Sequence, residues 1–253
     1  MMNRHLSLLP DNAGGAVVIL SGGMDSTIAT RLAVAKYGKE NVHALTFFYG
    51  QKQQAEINCA RESCKIMGIS HQVIDITFLG KISQGFSANV DTNIAMPTIE
   101  DVIGDPQPKT YVPNRNMILL SIAVSYAETK KVRLVVCGLQ QNDTYNYHNT
   151  TPRFLEKVNE VLNENRIIQV KVVSPFIQMT KSEEIKALLD TDGNVDLLKH
   201  TLTCYNPQSV WNYAQFNHHN SDMKIKSCGV CPSCSERLTA FKNMNIKDPV
   251  EYV

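Results

Sequence analysis

A continuous apolar run, Ala16-Val17-Val18-Ile19-Leu20, passes directly into Ser21-Gly22-Gly23-Met24-Asp25-Ser26. A helical period follows, with Ile28, Ala29, Leu32, Ala33 and Ala35 on one face, closing at Tyr37-Gly38. A run that short, apolar and β-branched reads as a strand buried on both sides, and the change of period places a helix just after a glycine turn. The turn between them has the makings of an anion site. Glycines let the backbone approach a phosphate closely and turn N–H groups toward it. The helix N-terminus adds unpaired donors and the positive end of its dipole. Ser21 and Ser26 add hydroxyl donors. Asp25 is out of place in a pure anion site and suits Mg²⁺ held against the same phosphates. No Gly-Lys-Ser/Thr follows, so the common P-loop is excluded, and the third glycine of the dinucleotide fingerprint is missing. The plain alternative is a tight turn that merely needs glycine. The position at the carboxyl end of the first strand, where α/β sheets bind ligands, favours the phosphate site.

The alternation continues. Residues 42–48 form a second buried strand, 53–67 a helix stopped by Gly68, and 71–76 a third strand. Residues 81–110 are rich in Gly, Pro, Asp, Ser and Asn without a sustained period, and read as a long, mobile loop over the active site. Residues 116–128 are apolar nearly all round, which predicts a helix buried on most sides. A fourth strand spans 132–137, a helix 153–163 and a short strand 170–173. Thr180-Lys181-Ser182-Glu183 fits a capping box opening a helix to Leu189. Beyond Asp190, Asn, His and Cys become frequent and periodicity fades until a last helix over 235–244. The expectation is a doubly wound parallel α/β sheet over residues 1–190 and a zinc-binding segment over 191–253.

Cysteine placement supports the second part. Cys59, Cys64 and Cys137 sit in apolar helix or strand patterns, as small core residues do. The other four of the seven are Cys204, Cys228, Cys231 and Cys234. Two-residue gaps let successive thiolates face one ion, Gly229 and Pro232 suit the turn, and Cys204 closes the set. Four thiolates with no open position make a structural tetrahedral zinc site, an iron–sulfur cluster or redox thiols being the alternatives. His218 and His219 read as ordinary loop residues. The formal net charge of +1 favours a small-molecule substrate over nucleic acid. No long apolar run or leader-like start is seen, so a cytoplasmic location without membrane contact is expected.

Ser21-Gly22-Gly23-Met24-Asp25-Ser26 resembles the pyrophosphatase loop of the superfamily that splits ATP to AMP and pyrophosphate. GMP synthetase, NAD synthetase, argininosuccinate synthetase and the tRNA thiolases belong to it. By that resemblance Leu20, Ser21, Gly22, Gly23, Met24, Asp25, Ser26, Thr27, Ile28, Ala29 and Thr30 are the ATP segment. Further segments, from Ala44-Leu45-Thr46-Phe47-Phe48-Tyr49-Gly50-Gln51 through Val112-Pro113-Asn114-Arg115-Asn116, Ser174-Pro175-Phe176, Thr180-Lys181-Ser182-Glu183 and Leu202-Thr203-Cys204-Tyr205 to the terminal cysteines, are together similar to the 7-cyano-7-deazaguanine synthase family of queuosine biosynthesis.

The resemblance implies a Rossmann-like (HUP-type) sheet, one structural zinc per subunit and a homodimer. It also implies a reaction in which 7-carboxy-7-deazaguanine, ATP and ammonia give the nitrile, through an acyl-adenylate, an amide and a second adenylation. On this reading Ser21, Gly22, Gly23 and Ser26 bind β and γ phosphates, Asp25 helps place Mg²⁺, and Lys181 meets a phosphate oxygen, a solvated first-turn lysine being the plainer alternative. Arg115 binds a carboxylate or phosphate through its fork, or else forms a surface ion pair. Phe47 and Tyr49 flank a purine-like ring or pack in the core. After the fourth strand the family usually carries Ser-Gly-Tyr-Pro-Asp-Cys-Arg. This chain has Tyr145-Asn146-Tyr147-His148-Asn149-Thr150-Thr151 there; only Tyr147, and Asp143 just before the segment, keep the alignment, and Asn149 partly replaces an acidic acceptor. Asn114 stands where glycine is common. A relative that passes the adenylated acid to another amine, such as a protein or peptide, is the main alternative. A tRNA thiolase and a non-catalytic nucleotide-binding protein are the others.

Overall fold

The structure, a computed structural model, describes residues 4–97, 101, 105, 107–140, 147–165, 167–207 and 226–253. In chain order the elements are β1 Ala16–Ile19, α1 Met24–Tyr37, β2 Val42–Phe48, α2 Ala55–Met67, β3 Ser70–Asp75, α3 Phe78–Ile82, α4 Arg115–Thr129, β4 Leu134–Val136, α5 Pro152–Leu162, β5 Lys171–Val173, α6 Lys181–Asp192, β6 Lys226–Ser227, α7 Pro232–Asn243 and β7 Glu251–Tyr252. The first five strands form one parallel sheet in the order β3-β2-β1-β4-β5. Val17 lies in register with His43 on one side and Val135 on the other, and Val135 with Val172. β6 and β7 form a separate small parallel pair.

Strand alternation divides two cores. Ala16, Val18, Val42, Ala44, Leu134 and Val136 face a core shared with α1, α2, α6 and α7. Val17, Leu45, Phe47, Val135 and Val172 face the opposite core, shared with α4 and α5. Both sheet faces are covered, as the continuous apolar strands demand. Strand order runs outward from β1 through β2 to β3, then returns to β4 and β5. The crevice between β1 and β4 is therefore the topological switch point, where this architecture receives ligands.

Local chemistry explains most boundaries. The capping box is present: the Glu183 amide donates to Thr180 Oγ1 at 3.3 Å, and the Thr180 amide donates to Glu183 Oε2 at 2.7 Å. α6 runs on to Asp192, beyond the expected Leu189, and stops at Gly193 in the left-handed region. Asn114 caps α4 with φ +54°. That backbone explains why glycine suits the position, and asparagine is among the residues that tolerate it.

One expectation holds with a detail added and another is corrected. α4 is enclosed on most sides: Asn116, Leu120, Ala123, Val124 and Ala127 are buried, Met117, Ile118, Leu119, Ile122 and Tyr126 pack half-buried against the same core, and Ser121 and Ser125 are exposed. The small hydroxyl residues mark the outer face that its overall apolarity hides. Residues 81–110 do not begin as loop, because α3 extends to Ile82. Much of the described part is folded inward, with Ser83, Ser87, Ala88, Val90 and Asp91 buried. Asp91 accepts from the amides of Gly85 (2.7 Å) and Asn93 (2.8 Å), local turn bonds that leave no periodic trace.

α7 packs Ala240 and Phe241 into the α1–α6 core. Its Arg237, 2% exposed, forks onto Asp248 at 2.8 and 2.9 Å and donates to Thr201 and Thr203. This buried fork fixes the chain before Cys204 against the helix that follows Cys231. Among the described residues no helix is long and apolar enough to cross a membrane.

Candidate active site and cysteine centre

The sequence Ser21-Gly22-Gly23 turns sharply because Gly22 takes φ +94°. A Cβ there would lie 2.0 Å from the backbone oxygen of Glu56. Only glycine lets the loop pass this close to the first turn of α2. Across the switch point, a Cβ on Gly138 would meet the Ser26 amide nitrogen at 2.8 Å, so the end of β4 also closes on the start of α1.

Within the loop, Ser21 Oγ and Ser26 Oγ share a hydrogen bond at 2.9 Å. The Gly23 amide donates to Ser21 Oγ at 3.2 Å, and the Ser21 amide donates to Ser26 Oγ at 3.1 Å. These hydroxyls hold amides that an incoming anion would otherwise engage. Leu20, Ser21, Gly23, Asp25 and Ser26 line a cavity of about 320 Å³, within the range of ordinary ligand sites. Met24, Thr27, Ile28, Ala29 and Thr30 instead point into the core and support the loop from below.

The same cavity collects most of the other residues singled out from sequence. Lys181, Phe47, Tyr49, Arg115, Tyr147 and Asn149 line it. Asp143 lies outside the described residues. Lys181 Nζ sits 3.0 Å from Asp25 Oδ2, 3.1 Å from Gln140 Oε1 and 3.9 Å from Glu236 Oε2. The lysine is thus held at the loop by a carboxylate and is not a solvated first-turn residue. Asp25 Oδ1 is buried and has no hydrogen-bond partner among the described residues, a lone pair suited to a hard cation such as Mg²⁺.

Arg115 is not a surface ion pair. Its NH1 lies 3.3 Å from Tyr49 Oη, and its guanidinium sits 5.7 Å from that ring's centre. Burial opposes its charge, yet nearby Tyr49, Tyr147 and Tyr205 more than compensate and raise its pKa. Phe47 and Tyr49 belong at once to the core and to the cavity wall. Tyr111 stacks on Tyr147 with ring centres 6.3 Å apart. Asn116 Nδ2 donates to Asn149 Oδ1 at 3.2 Å, which fixes the amide of Asn149.

Several lining residues carried no signal strong enough to be singled out. Glu56 is the acid in the first turn of α2. It lies against the cavity, and burial pushes its carboxyl up to about 7, although a hydrogen bond from Gln51 and the charge of Arg115 pull the other way. Gln140 and Glu236 reach Lys181 from segments far apart in sequence. Gln51, within the quoted Tyr49-Gly50-Gln51 segment, braces the Tyr49 amide through Oε1 at 2.9 Å.

Beside the cavity lie the four cysteines. The sulfurs of Cys204, Cys228, Cys231 and Cys234 are all within 4.8 Å of one another. Thiolates about 2.3 Å from one tetrahedral ion sit roughly 3.8 Å apart, so the set fits such an ion with small adjustment. Backbone amides already point at the sulfurs: Asn206 and Cys228 donate to Cys204 Sγ, Tyr205 to Cys231 Sγ and Cys231 to Cys228 Sγ, at 3.3–3.4 Å. N–H groups aimed at sulfur stabilise thiolate charge, which suits metal ligands. Cys64 and Cys137 are buried core residues as expected, and Cys59 packs against the cluster. His218 and His219 lie outside the described residues.

A family model described as Queuosine biosynthesis protein QueC matches residues 15–245. The 7-cyano-7-deazaguanine synthase of Marinomonas sp. (strain MWYL1) is 38% identical over 237 residues, 94% of this chain and 97% of that protein. The same-named protein of Pseudoalteromonas atlantica is 37% identical over 236 residues, covering 93% and 97%. That of Methanobrevibacter smithii is 33% identical over 243 residues, covering 94% and 97%.

Proposed function

Since the chain belongs to the QueC family of queuosine biosynthesis proteins, we propose that it is an ATP-dependent ligase producing 7-cyano-7-deazaguanine from 7-carboxy-7-deazaguanine and ammonia. The observation that carries this reading is the glycine-opened end of β1, which borders the cavity together with Lys181 and Asp25. In this reading Ser21, Gly23, Ser26 and Lys181 hold the pyrophosphate end of ATP while the substrate carboxylate attacks the α-phosphorus. Pre-set donors aimed where charge accumulates on the leaving group lower the barrier.

Mg²⁺ would supply further charge neutralisation, with Asp25 as its protein ligand. Arg115 and the Tyr111–Tyr147 wall orient the acid. The walls of the crevice also keep water from the adenylate. Zinc at the four cysteines has a structural role, and two chains associate in the working enzyme. The name shared by the relatives favours nitrile formation over transfer of the acid to a protein or peptide amine.

The test is direct. Purified protein with ATP, Mg²⁺ and 7-carboxy-7-deazaguanine should exchange labelled pyrophosphate into ATP. With ammonia as the only amine it should release AMP and give the mass of the nitrile. Pyrophosphate exchange without any amide or nitrile would favour another amine. Absence of both AMP and pyrophosphate with this acid would refute the ligase reading.

A further inference from the structure

We propose that Glu56 is the proton acceptor for the attacking amine in the amide-forming step, an inference that rests on the ligase reading above. That step requires a base. The nitrogen lone pair forms the new C–N bond to the acyl carbon. The C–O bond to the phosphate breaks, and its electron pair leaves on AMP. The nitrogen then carries one proton too many for an amide. In the proposal this proton passes to Glu56 Oε2, which afterwards gives it up to water.

Three observations single out this carboxylate. The first is position. The backbone of Glu56 is the wall against which Gly22 closes, so the start of α2 and the phosphate loop are immediate neighbours at the cavity. The second is the arrangement of its oxygens. Gln51 Nε2 donates to Oε1 at 3.1 Å and also to the carbonyl of Phe47 at 3.1 Å, which fixes the carboxyl's orientation. Oε2 accepts no hydrogen bond from the described residues.

The third is elimination within the cavity. Its described lining has three carboxylates, Asp25, Glu56 and Glu236. Asp25 and Glu236 both converge on Lys181, at 3.0 and 3.9 Å. A carboxylate paired with a lysine is a poor proton acceptor, because the neighbouring charge favours its ionised form. Among the described residues Glu56 makes no such pair with a lysine. The ionisable groups around it are Arg115 from α4, Tyr49 after β2, and Cys59 one turn along α2. Burial outweighs the pull of Arg115 and leaves the acid near neutrality, where a general base is most effective.

The experiment separates the two half-reactions. Glu56→Gln keeps the shape and the Gln51 contact but cannot take a proton. Its acid-dependent pyrophosphate exchange should persist, while amide formation with ammonia should fall about 100-fold or more. The pH profile is the reading that a merely structural role would not move. With methoxyamine, an amine weak enough to be neutral across the range tested, single-turnover capture of the adenylate by wild type should rise with pH through about 7. In Glu56→Gln that rise should vanish. Glu56→Asp should keep the rise at a reduced rate, and it serves as the reporter if the glutamine variant does not fold. Unchanged amide formation with the rise intact in Glu56→Gln would overturn the assignment, and so would loss of pyrophosphate exchange in a folded variant. Absence of exchange in wild type would instead sink the ligase reading beneath it.

Discussion

The amide of Leu202 donates to the carbonyl of Gly22 at 2.9 Å. Two residues later Cys204 enters the four-sulfur cluster, and on either side Thr203 and Tyr205 border the cavity. The cysteine centre and the phosphate loop are therefore one construction. A metal holding Cys204 also holds the strand of backbone that steadies Gly22. Arg237 adds a second tie, from α7 to Thr201 and Thr203.

Removing one ligand should accordingly damage both. In Cys231→Ser, bound metal should fall well below one ion per chain, with stability lower by roughly 3 kcal/mol or more. Because Leu202 then loses its anchor, pyrophosphate exchange should weaken as well. Metal analysis, urea unfolding and the exchange assay check the three parts. An equally stable, fully active, metal-free variant would show that the cluster is not structural.

The loop itself tolerates no side chain at Gly22. An alanine there would carry φ +94° and a Cβ 2.0 Å from the Glu56 oxygen. Gly22→Ala should cost about 2 kcal/mol or more and abolish exchange, since the loop must move away from α2. Gly193→Ala is the control: it shares a positive φ, +74°, but nothing lies within 4 Å of the added carbon. It should cost about 1 kcal/mol and leave exchange intact. Comparable exchange in both variants would mean that the close approach at Gly22 has no functional consequence.

How much of this was legible beforehand follows from what leaves a periodic or chemical trace. The strand–glycine–helix transition at Leu20–Met24, the capping box at Thr180 and the tight cysteine spacing are local signals, and each stands where expected. The narrow outer stripe of α4, Ser121 and Ser125, was obscured because Ile118 and Ile122 beside it pack half-buried against the core, so apolar character runs nearly all round. The inward fold of residues 83–91 rests on turn bonds from Asp91 and Ser87, which have no period. Glu56, Gln140 and Glu236 come to the cavity through tertiary placement alone. A first-turn glutamate on α2 reads the same in sequence whether it faces water or an active site.

Asp25 and Lys181 should behave as a unit. Lys181→Ala removes the cation at the loop and leaves Asp25 Oδ2 without its partner at 3.0 Å. Asp25→Asn removes the charge that suits Mg²⁺. Each change should lower AMP release about 100-fold or more, with zinc content unchanged. The double variant should lose less than the sum of the two, because both act on the same phosphate end. Strict additivity in AMP release would show that the two side chains serve separate steps.

The sheet edge gives a prediction about acid. His71 on β3 lies 2.8 Å, through Nε2, from Thr46 Oγ1, which in turn donates to the carbonyl of Leu20 at 2.6 Å. Burial lowers the His71 pKa to about 4, with the charge of Arg61 acting the same way. The folded state thus resists the proton that the unfolded chain accepts at its ordinary value of about 6.5. Between these values the unfolded state binds more protons, so stability is full above about 6.5 and declines as pH falls toward 4. The side chain is partly exposed, so the loss is discounted to about 1–2 kcal/mol. Glu56, raised to about 7, acts in the opposite sense over the same window, so urea unfolding at pH 7 and pH 4.5 reads the His71 contribution as the difference between wild type and a His71 variant. His71→Gln, which keeps a polar group for Thr46 but cannot take the charge, should fare better than wild type on going to pH 4.5 by about the same amount. Identical pH dependence in the two proteins would mean that His71 is solvated well enough to hold its proton in the folded chain.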